Sequence, residues 1–202
     1  MKFIESTLVL IKSDGVKRGL VGEIISRFER AGLTVIGLKL LQPTVEFSRK
    51  HYATTDAQLA QMGNKTLTTY AELGIDPSKQ LGTSDPIEIG HKVHEWNSQF
   101  LASGPVVAIV LKGVHAVKKV RKICGATMPR DADPGTIRGD FGSSSPAVAN
   151  LQSSAVYNLV HASDNANDPE EPAREIALWF ETNELVDYFT VDTTAMFKDE
   201  PV

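Results

Sequence analysis

The run Gly104-Pro-Val-Val-Ala-Ile-Val-Leu-Lys112 constrains this chain more than any other stretch. It is the strongest strand signal in the sequence, and Gly113 ends it. Thr7-Leu-Val-Leu-Ile-Lys12 is a second unbroken apolar run and reads as a strand buried on both faces. Leu33 through Gln42 alternates, then runs apolar, and Pro43 closes it. Val156 to about residue 160 supplies a fourth strand, leading to His161. Between these runs, Leu20, Val21, Ile24, Ile25 and Phe28 fall at helical spacing, with Gly32 suited to a C-terminal cap. Ala116 through Cys124 reads as an amphipathic helix. The order β-α-β, an interval, then β-α-β predicts an α+β chain of the split-βαβ or ferredoxin-like kind. Its antiparallel four-stranded sheet is expected to carry its helices on one face. That plan hosts enzymes and nucleic-acid binders alike, so function has to be argued from a site.

Composition narrows the classes. With 202 residues the chain can build one good core. A formal net charge of −4 argues against broad, charge-driven binding of nucleic acid, while leaving room for a local basic site for phosphates. The one cysteine, Cys124, cannot form an intrachain disulfide and reads as a buried thiol. The N-terminal stretch lacks the apolar core and small-residue cleavage site of a signal peptide. No apolar run approaches the roughly 20 residues that cross a bilayer. A cytoplasmic, soluble protein is expected, and there is no internal repeat.

The remaining stretches are less regular. Ser13-Asp14-Gly15 is a turn signal, and the spaced glycines after it lack the Gly-Lys-Ser/Thr ending of a phosphate loop. Residues 45–54 look helical. Leu59, Met62, Leu67 and Leu73 suggest one or two short helices, and Ile87 through Leu101 another. His91 and His94 share a helix face, but no third ligand has supporting spacing, so no protein-held metal site is expected. Residues 143–155 are small and polar and read as an exposed excursion. Asp168-Pro-Glu-Glu-Pro opens a helix with acids and prolines in its first turn, placing Glu175 about two turns in.

The chemistry centres on Asn158-Leu-Val-His161-Ala-Ser163-Asp164. A histidine at the end of a strand-like run points into whatever cleft lies there. Its neutral ring can attack phosphorus near neutral pH, because its ordinary pKa is about 6.5. Asn158, Ser163 and Asp164 could orient the ring or hold a sugar. Lys12 lies where its strand leaves the core, and reads either as a snorkelling lysine or as a cation aimed at phosphate. The Gly/Pro-rich stretch from Gly125 to Gly142 offers Thr127 and Arg138 as a phosphate clamp.

Several stretches together resemble the nucleoside diphosphate kinases. They are Leu10-Ile-Lys12-Ser-Asp-Gly-Val-Lys-Arg-Gly-Leu-Val-Gly-Glu-Ile, Ser103-Gly-Pro-Val-Val-Ala, Pro134-Gly-Thr-Ile-Arg138-Gly-Asp-Phe, Asn158-Leu-Val-His161-Ala-Ser163-Asp164 and Arg174-Glu175-Ile-Ala-Leu-Trp-Phe. They stand in the family's order and cover most of the chain outside 55–100 and 143–155. The resemblance implies reversible transfer of a γ-phosphoryl group from a nucleoside triphosphate, ATP, to a nucleoside diphosphate through a phosphohistidine. His161 would be the nucleophile, with Glu175 on its far ring nitrogen and Ser163 supporting both. Lys12, Arg121, Thr127 and Arg138 would hold phosphates; Asn158 and Lys12 would hold sugar hydroxyls; Tyr52 would sit beside His161 and the transferred group. Mg²⁺ would come with the nucleotide. The resemblance also implies a homo-oligomer, a hexamer or tetramer.

The sequence departs from the family at definite places. Lys12-Ser13 replaces a Lys-Pro, Met128-Pro129 an Asn-Pro, and Tyr157-Asn158 an Arg-Asn. The aromatic segment that stacks on the base is missing, and a helical insertion of about 40 residues at about 55–100 lies there within an otherwise single domain spanning 1–202. Counting back from Gly104, Val93 is nearest that position, with Trp96 a second candidate. Two other readings compete. A nucleic-acid binder of this fold predicts stacking aromatics and a basic surface, against the acidic balance and aromatic-poor strands here. A family member that binds nucleotide without catalysis predicts a replaced histidine, lysine or glutamate, and all three are present.

Overall fold

A computed structural model of the protein describes residues 3–52, 54–166, 168–188 and 190–191. Within them, β1 (Ile4–Ile11), β2 (Thr34–Leu41), β3 (Val106–Val114) and β4 (Val160–Ala162) form one antiparallel sheet in the order β2-β3-β1-β4. The two runs with unbroken apolar sequence are its two central strands. The helices, in chain order, are α1 (Ser13–Lys17), α2 (Val21–Arg30), α3 (Val45–His51), α4 (Asp56–Glu72), α5 (Pro77–Leu81), α6 (Pro86–Leu101), α7 (Ala116–Cys124), α8 (Ile137–Phe141), α9 (Pro146–Leu151) and α10 (Glu171–Trp179). This is the expected ferredoxin-like α+β architecture.

Both faces of the sheet are covered, not one. Val9, Ile11, Ile109 and Leu111 point to one side, where they pack with Ile24 and Phe28 of α2 and Val120 of α7. Leu8, Leu10, Ala108 and Val110 point to the other, against Leu101 of α6, Trp179 of α10 and Phe180, with Phe47 and Tyr52 at the margin. Successive strand residues face opposite ways, so an unbroken apolar strand requires cover on both sides. The second layer, holding α3, α6 and α10, is the one that frames His161.

Four local expectations are corrected. Ser13-Asp14-Gly15 opens α1 rather than a bare turn. The region after residue 55 is dominated by one 17-residue helix, α4, whose Thr55 and Gln58 form a capping box. Residues 143–155 are not an exposed excursion: Ser145 caps α9, Pro146 takes its first turn, and Ala149, Asn150 and Ala155 are buried. Finally, β4 begins at Val160, because Leu159 adopts a left-handed φ of 68° that breaks the strand before it.

Helices α4 and α6 cross at contact distance. A Cβ built on Gly63 would meet the Pro86 carbonyl oxygen at 1.8 Å, and one on Gly90 the Leu59 oxygen at 2.1 Å. Glycine inside a helix costs about 1 kcal/mol against alanine, and here that cost is set against the close approach of two backbones. The fully buried Tyr70 of α4 donates its hydroxyl to the Asn150 carbonyl at 2.9 Å, fastening α9 to the pair. Among the described residues no helix is long and apolar enough to cross a membrane.

Candidate active site

The register of β4 decides where His161 points. His161 pairs with Leu10, so it shares the Leu8/Leu10 face and meets α10. Just before it, the Val160 N–H donates to the Asn158 carbonyl at 2.7 Å around the left-handed Leu159. That is a tight, strained turn of a kind rare outside functional sites. It is held from α1: the Leu159 N–H donates to Asp14 Oδ2 at 3.0 Å, and its carbonyl accepts the Lys12 N–H at 2.8 Å. The same clasp brings Lys12 Nζ to Asn158 Oδ1 at 2.9 Å.

His161 Nε2 lies 2.9 Å from Glu175 Oε2, and that oxygen also accepts the Ser163 hydroxyl at 2.5 Å. A carboxylate on Nε2 places the ring proton there and leaves the Nδ1 lone pair free. Burial alone would raise the Glu175 pKa. The adjoining imidazole of His161 and the hydrogen bonds it receives outweigh that and hold it at about 2. Glu175 is therefore an anion at any working pH.

A residue absent from the sequence reading completes this cluster. His51, at the end of α3, is buried with its ring 4.5 Å from that of His161, edge to face. Trp179, one turn beyond Glu175, donates its indole N–H to His51 Nδ1 at 3.2 Å, so His51 carries its own proton on Nε2. Burial, and then the neighbouring His161, push the His51 pKa down to about 3, which keeps the ring neutral. The signal in the sequence is Phe47 and His51 four apart on the buried face of α3. A histidine on an apolar face needs a partner, and nothing local names Trp179 as that partner. His51, His161 and Glu175 place three ligand atoms within 4.8 Å of one another. With Trp179 on His51 Nδ1 and Glu175 on His161 Nε2, His51 keeps no free lone pair, so the cluster is held by hydrogen bonds as it stands.

The cations converge on the same cleft, about 740 Å³ in volume, which Lys12, Tyr52, Arg121, Thr127, Arg138, Asn158 and His161 line. Arg138 is buried and binds backbone carbonyls of Val160 (2.7 Å), Gly125 (2.7 Å), Asn158 (3.2 Å) and Ala126 (3.4 Å). Of the five guanidinium donors, that leaves one N–H for a ligand. Burial lowers the Arg138 pKa somewhat without threatening its charge. Lys12 is buried too; desolvation, then Arg138 nearby, bring it down to about 8. Arg121 pairs with Asp164 at 2.9 Å, so Asp164 steadies a cation rather than the histidine ring. Thr127 accepts the Asn158 amide through its carbonyl at 2.9 Å. Tyr52 stands 6.4 Å from His161, centroid to centroid, and burial raises its pKa, so its hydroxyl stays neutral. Val93 and Trp96 of α6 both line the cleft. His94 is occupied with the Tyr52 carbonyl at 3.0 Å, while His91 is exposed.

Comparison with known proteins bears on this geometry. A family profile described as nucleoside diphosphate kinase matches residues 5–67 and 88–185. The nucleoside diphosphate kinase of Pyrobaculum aerophilum is 46% identical over 184 residues, 91% of this chain and 99% of that protein. The chain belongs to the nucleoside diphosphate kinase family. The corresponding enzyme of Borreliella burgdorferi is 36% identical over 92% of each chain. Among solved structures, an NDP kinase from Pyrobaculum aerophilum superposes with a TM-score of 0.87 at 45% identity, covering 91% of this chain and all of that one. A transition-state mimic of the Borrelia burgdorferi kinase with bound vanadate and ADP gives a TM-score of 0.74 at 33% identity, covering 96% and 98%. The chain is thus a nucleotide-binding phosphotransferase that moves the γ-phosphoryl group of a nucleoside triphosphate to a nucleoside diphosphate.

Proposed function

We propose that His161 carries the phosphoryl group between the two nucleotides. The supporting observation is the Glu175–His161 contact, which fixes the ring proton on Nε2 and turns a bare Nδ1 toward a cleft lined by Lys12, Arg121 and Arg138. In the first half-reaction the Nδ1 lone pair attacks the γ-phosphorus. An N–P bond forms, the bond from phosphorus to the bridging oxygen breaks, and the diphosphate leaves with that electron pair. The ring becomes cationic, and the Glu175 carboxylate stabilises it. The second half-reaction is the reverse, with a new diphosphate as acceptor.

Catalysis then consists of positioning and charge. Lys12, Arg121, Thr127 and Arg138 take phosphate oxygens, as a loose phosphoryl-transfer transition state requires. Asn158 and Lys12 take sugar hydroxyls, Tyr52 flanks the transferred group, Ser163 holds Glu175, and Val93 contributes to the wall on the base side. Mg²⁺ fits as a companion of the nucleotide. Near His161 the carboxylates lining the cleft are engaged, Asp164 with Arg121 and Glu171 with the Asp164 N–H, so the ion would be held largely by phosphate oxygens and water. Held there, it would supply positive charge against the phosphates.

We further read residues 1–202 as one domain with helical insertions at about 55–100 and 143–155; the gap in the family match, 68–87, falls inside the first. Self-association is supported by the edge strand β2, whose Leu38 and Leu40 are 53% and 66% exposed. The fully buried Cys124, whose thiol burial pushes to about 11, suits a reducing cytoplasm.

The test is a brief incubation with Mg²⁺ and γ-labelled ATP without acceptor. Acid-labile label on the protein that moves to unlabelled GDP is expected, and His161→Ala abolishes it while ADP still binds. Label surviving in His161→Ala would overturn the assignment.

A further inference from the structure

We infer that the far arm of the cleft reads the edge of the nucleobase through the Asn150 carboxamide, giving this enzyme a base preference; the inference rests on the phosphate end lying at His161. The cleft runs without interruption from Lys12, Arg138 and His161 to Lys65, Thr69, Asn97 and Asn150, between α4, α6 and α9. A nucleotide with its terminal phosphate against His161 extends its base into that arm.

Asn150 is 7% exposed. Its main-chain carbonyl is taken by Tyr70, yet among the described residues its side-chain amide has no hydrogen-bond partner. Asn150 lines the cleft, so its unpartnered amide is open to a ligand seated there, which can make the hydrogen bonds the protein does not. The neighbouring hydroxyls are already committed as donors to their own helix, Thr66 to Met62 and Thr69 to Lys65. Asn150 therefore offers what they do not: a free donor and a free acceptor side by side in one plane. That pair matches the adjacent donor and acceptor on a base edge, as with N6 and N7 of adenine. Val93 and Trp96 supply apolar wall for the ring faces.

The experiment is equilibrium binding of ADP, GDP, CDP and UDP, and of ribose 5-diphosphate, which lacks a base. Wild-type affinities for the four bases should span about tenfold or more, the range of one good amide–base pair. In Asn150→Ala the span should collapse below about threefold with ribose 5-diphosphate affinity unchanged. Asn150→Asp, similar in shape but without the donor, should reorder the bases. A wild-type span already below threefold overturns the inference. So does an equal loss for every ligand in both variants, base-free one included, or an unaltered span. Binding needs no phosphoryl transfer, so a failed label on His161 and a failed base ratio are separate results.

Discussion

The two ends of the cleft are built on opposite terms. At the phosphate end the side chains already bind protein: Lys12 holds Asn158, Arg121 holds Asp164, Arg138 binds four carbonyls, and Glu175 accepts from His161 and Ser163. At the other end, Asn150 is buried without a partner for its amide, and the threonine hydroxyls satisfy only their own helix. The first arrangement is rigid before substrate arrives, which is what electrostatic stabilisation of a transition state needs, since no reorganisation is then required during the reaction. The second leaves bonds for the ligand to make, which serves discrimination between substrates rather than rate. On the proposed assignments, one cleft separates how fast from which nucleotide.

The largest effect that can break this comparison is at Glu175. Glu175→Ala leaves the ring of His161 free to place its proton on either nitrogen and removes the anion facing the imidazolium. Phosphorylation of the enzyme should slow by between about 10²- and 10⁴-fold. ADP binding should weaken by less than about threefold, because Glu175 faces the ring and not the ligand. Rapid-quench labelling beside ADP titration separates the two; equal loss in both would make Glu175 a packing residue.

Much of the phosphate end was legible in the sequence, and most of what was missed came from packing. Lys12, Arg138, Asn158 and His161 lie in short stretches whose residue types and spacing survive being read in a line. The clasp that unites them did not show: the left-handed turn at Leu159 falls on a leucine, a residue that gives no warning of positive φ, so residues 156–161 read as continuous strand. His51 was missed because the hydrogen bond that orients its ring comes from Trp179, 128 residues away. The α9 helix could have been found, since Ser145-Pro146 is a start signal. Its small, polar composition hid the fact that one side of it docks on α4, where Tyr70 donates to the Asn150 carbonyl. The central strands β1 and β3 were clearest because burial on both faces writes itself into every position.

The next effect is one of pH. Lys12 titrates at about 8 in the free protein, below its ordinary value near 10.5. Above that point it loses the charge that the proposed phosphate role requires. ADP affinity should therefore be flat below pH 8 and fall as pH rises through it, approaching tenfold per unit for a single obligatory proton. The phosphates favour the charged amine, so binding above pH 8 should take up a proton, visible as a dependence of the binding heat on buffer ionisation enthalpy. Lys12→Met should bind more weakly at neutral pH and show a flatter profile. A wild-type profile without this inflection would mean the cation of the rigid end is carried by Arg138 and Arg121 alone.

The smallest effect isolates the other end. Gly63→Ala puts a methyl group where the Pro86 carbonyl oxygen stands and must push α4 away from α6. Overpacking of this kind costs about 1–3 kcal/mol, seen as a lowered unfolding midpoint and faster amide exchange in α4 and α6. Gly63 touches neither His161 nor the cations, and the backbone bonds of Arg138 lie on other elements. Labelling of His161 by ATP should then persist within about threefold, while the span of affinities among the four bases narrows, because Tyr70 on the displaced α4 carries α9 and Asn150 with it. If labelling fell as steeply as the base span, the insertion would support the phosphate end as well, and the division of the cleft into a fixed half and a reading half would not stand. If neither moved, α4 and α6 absorb the methyl locally, and the close glycine crossing matters to stability alone.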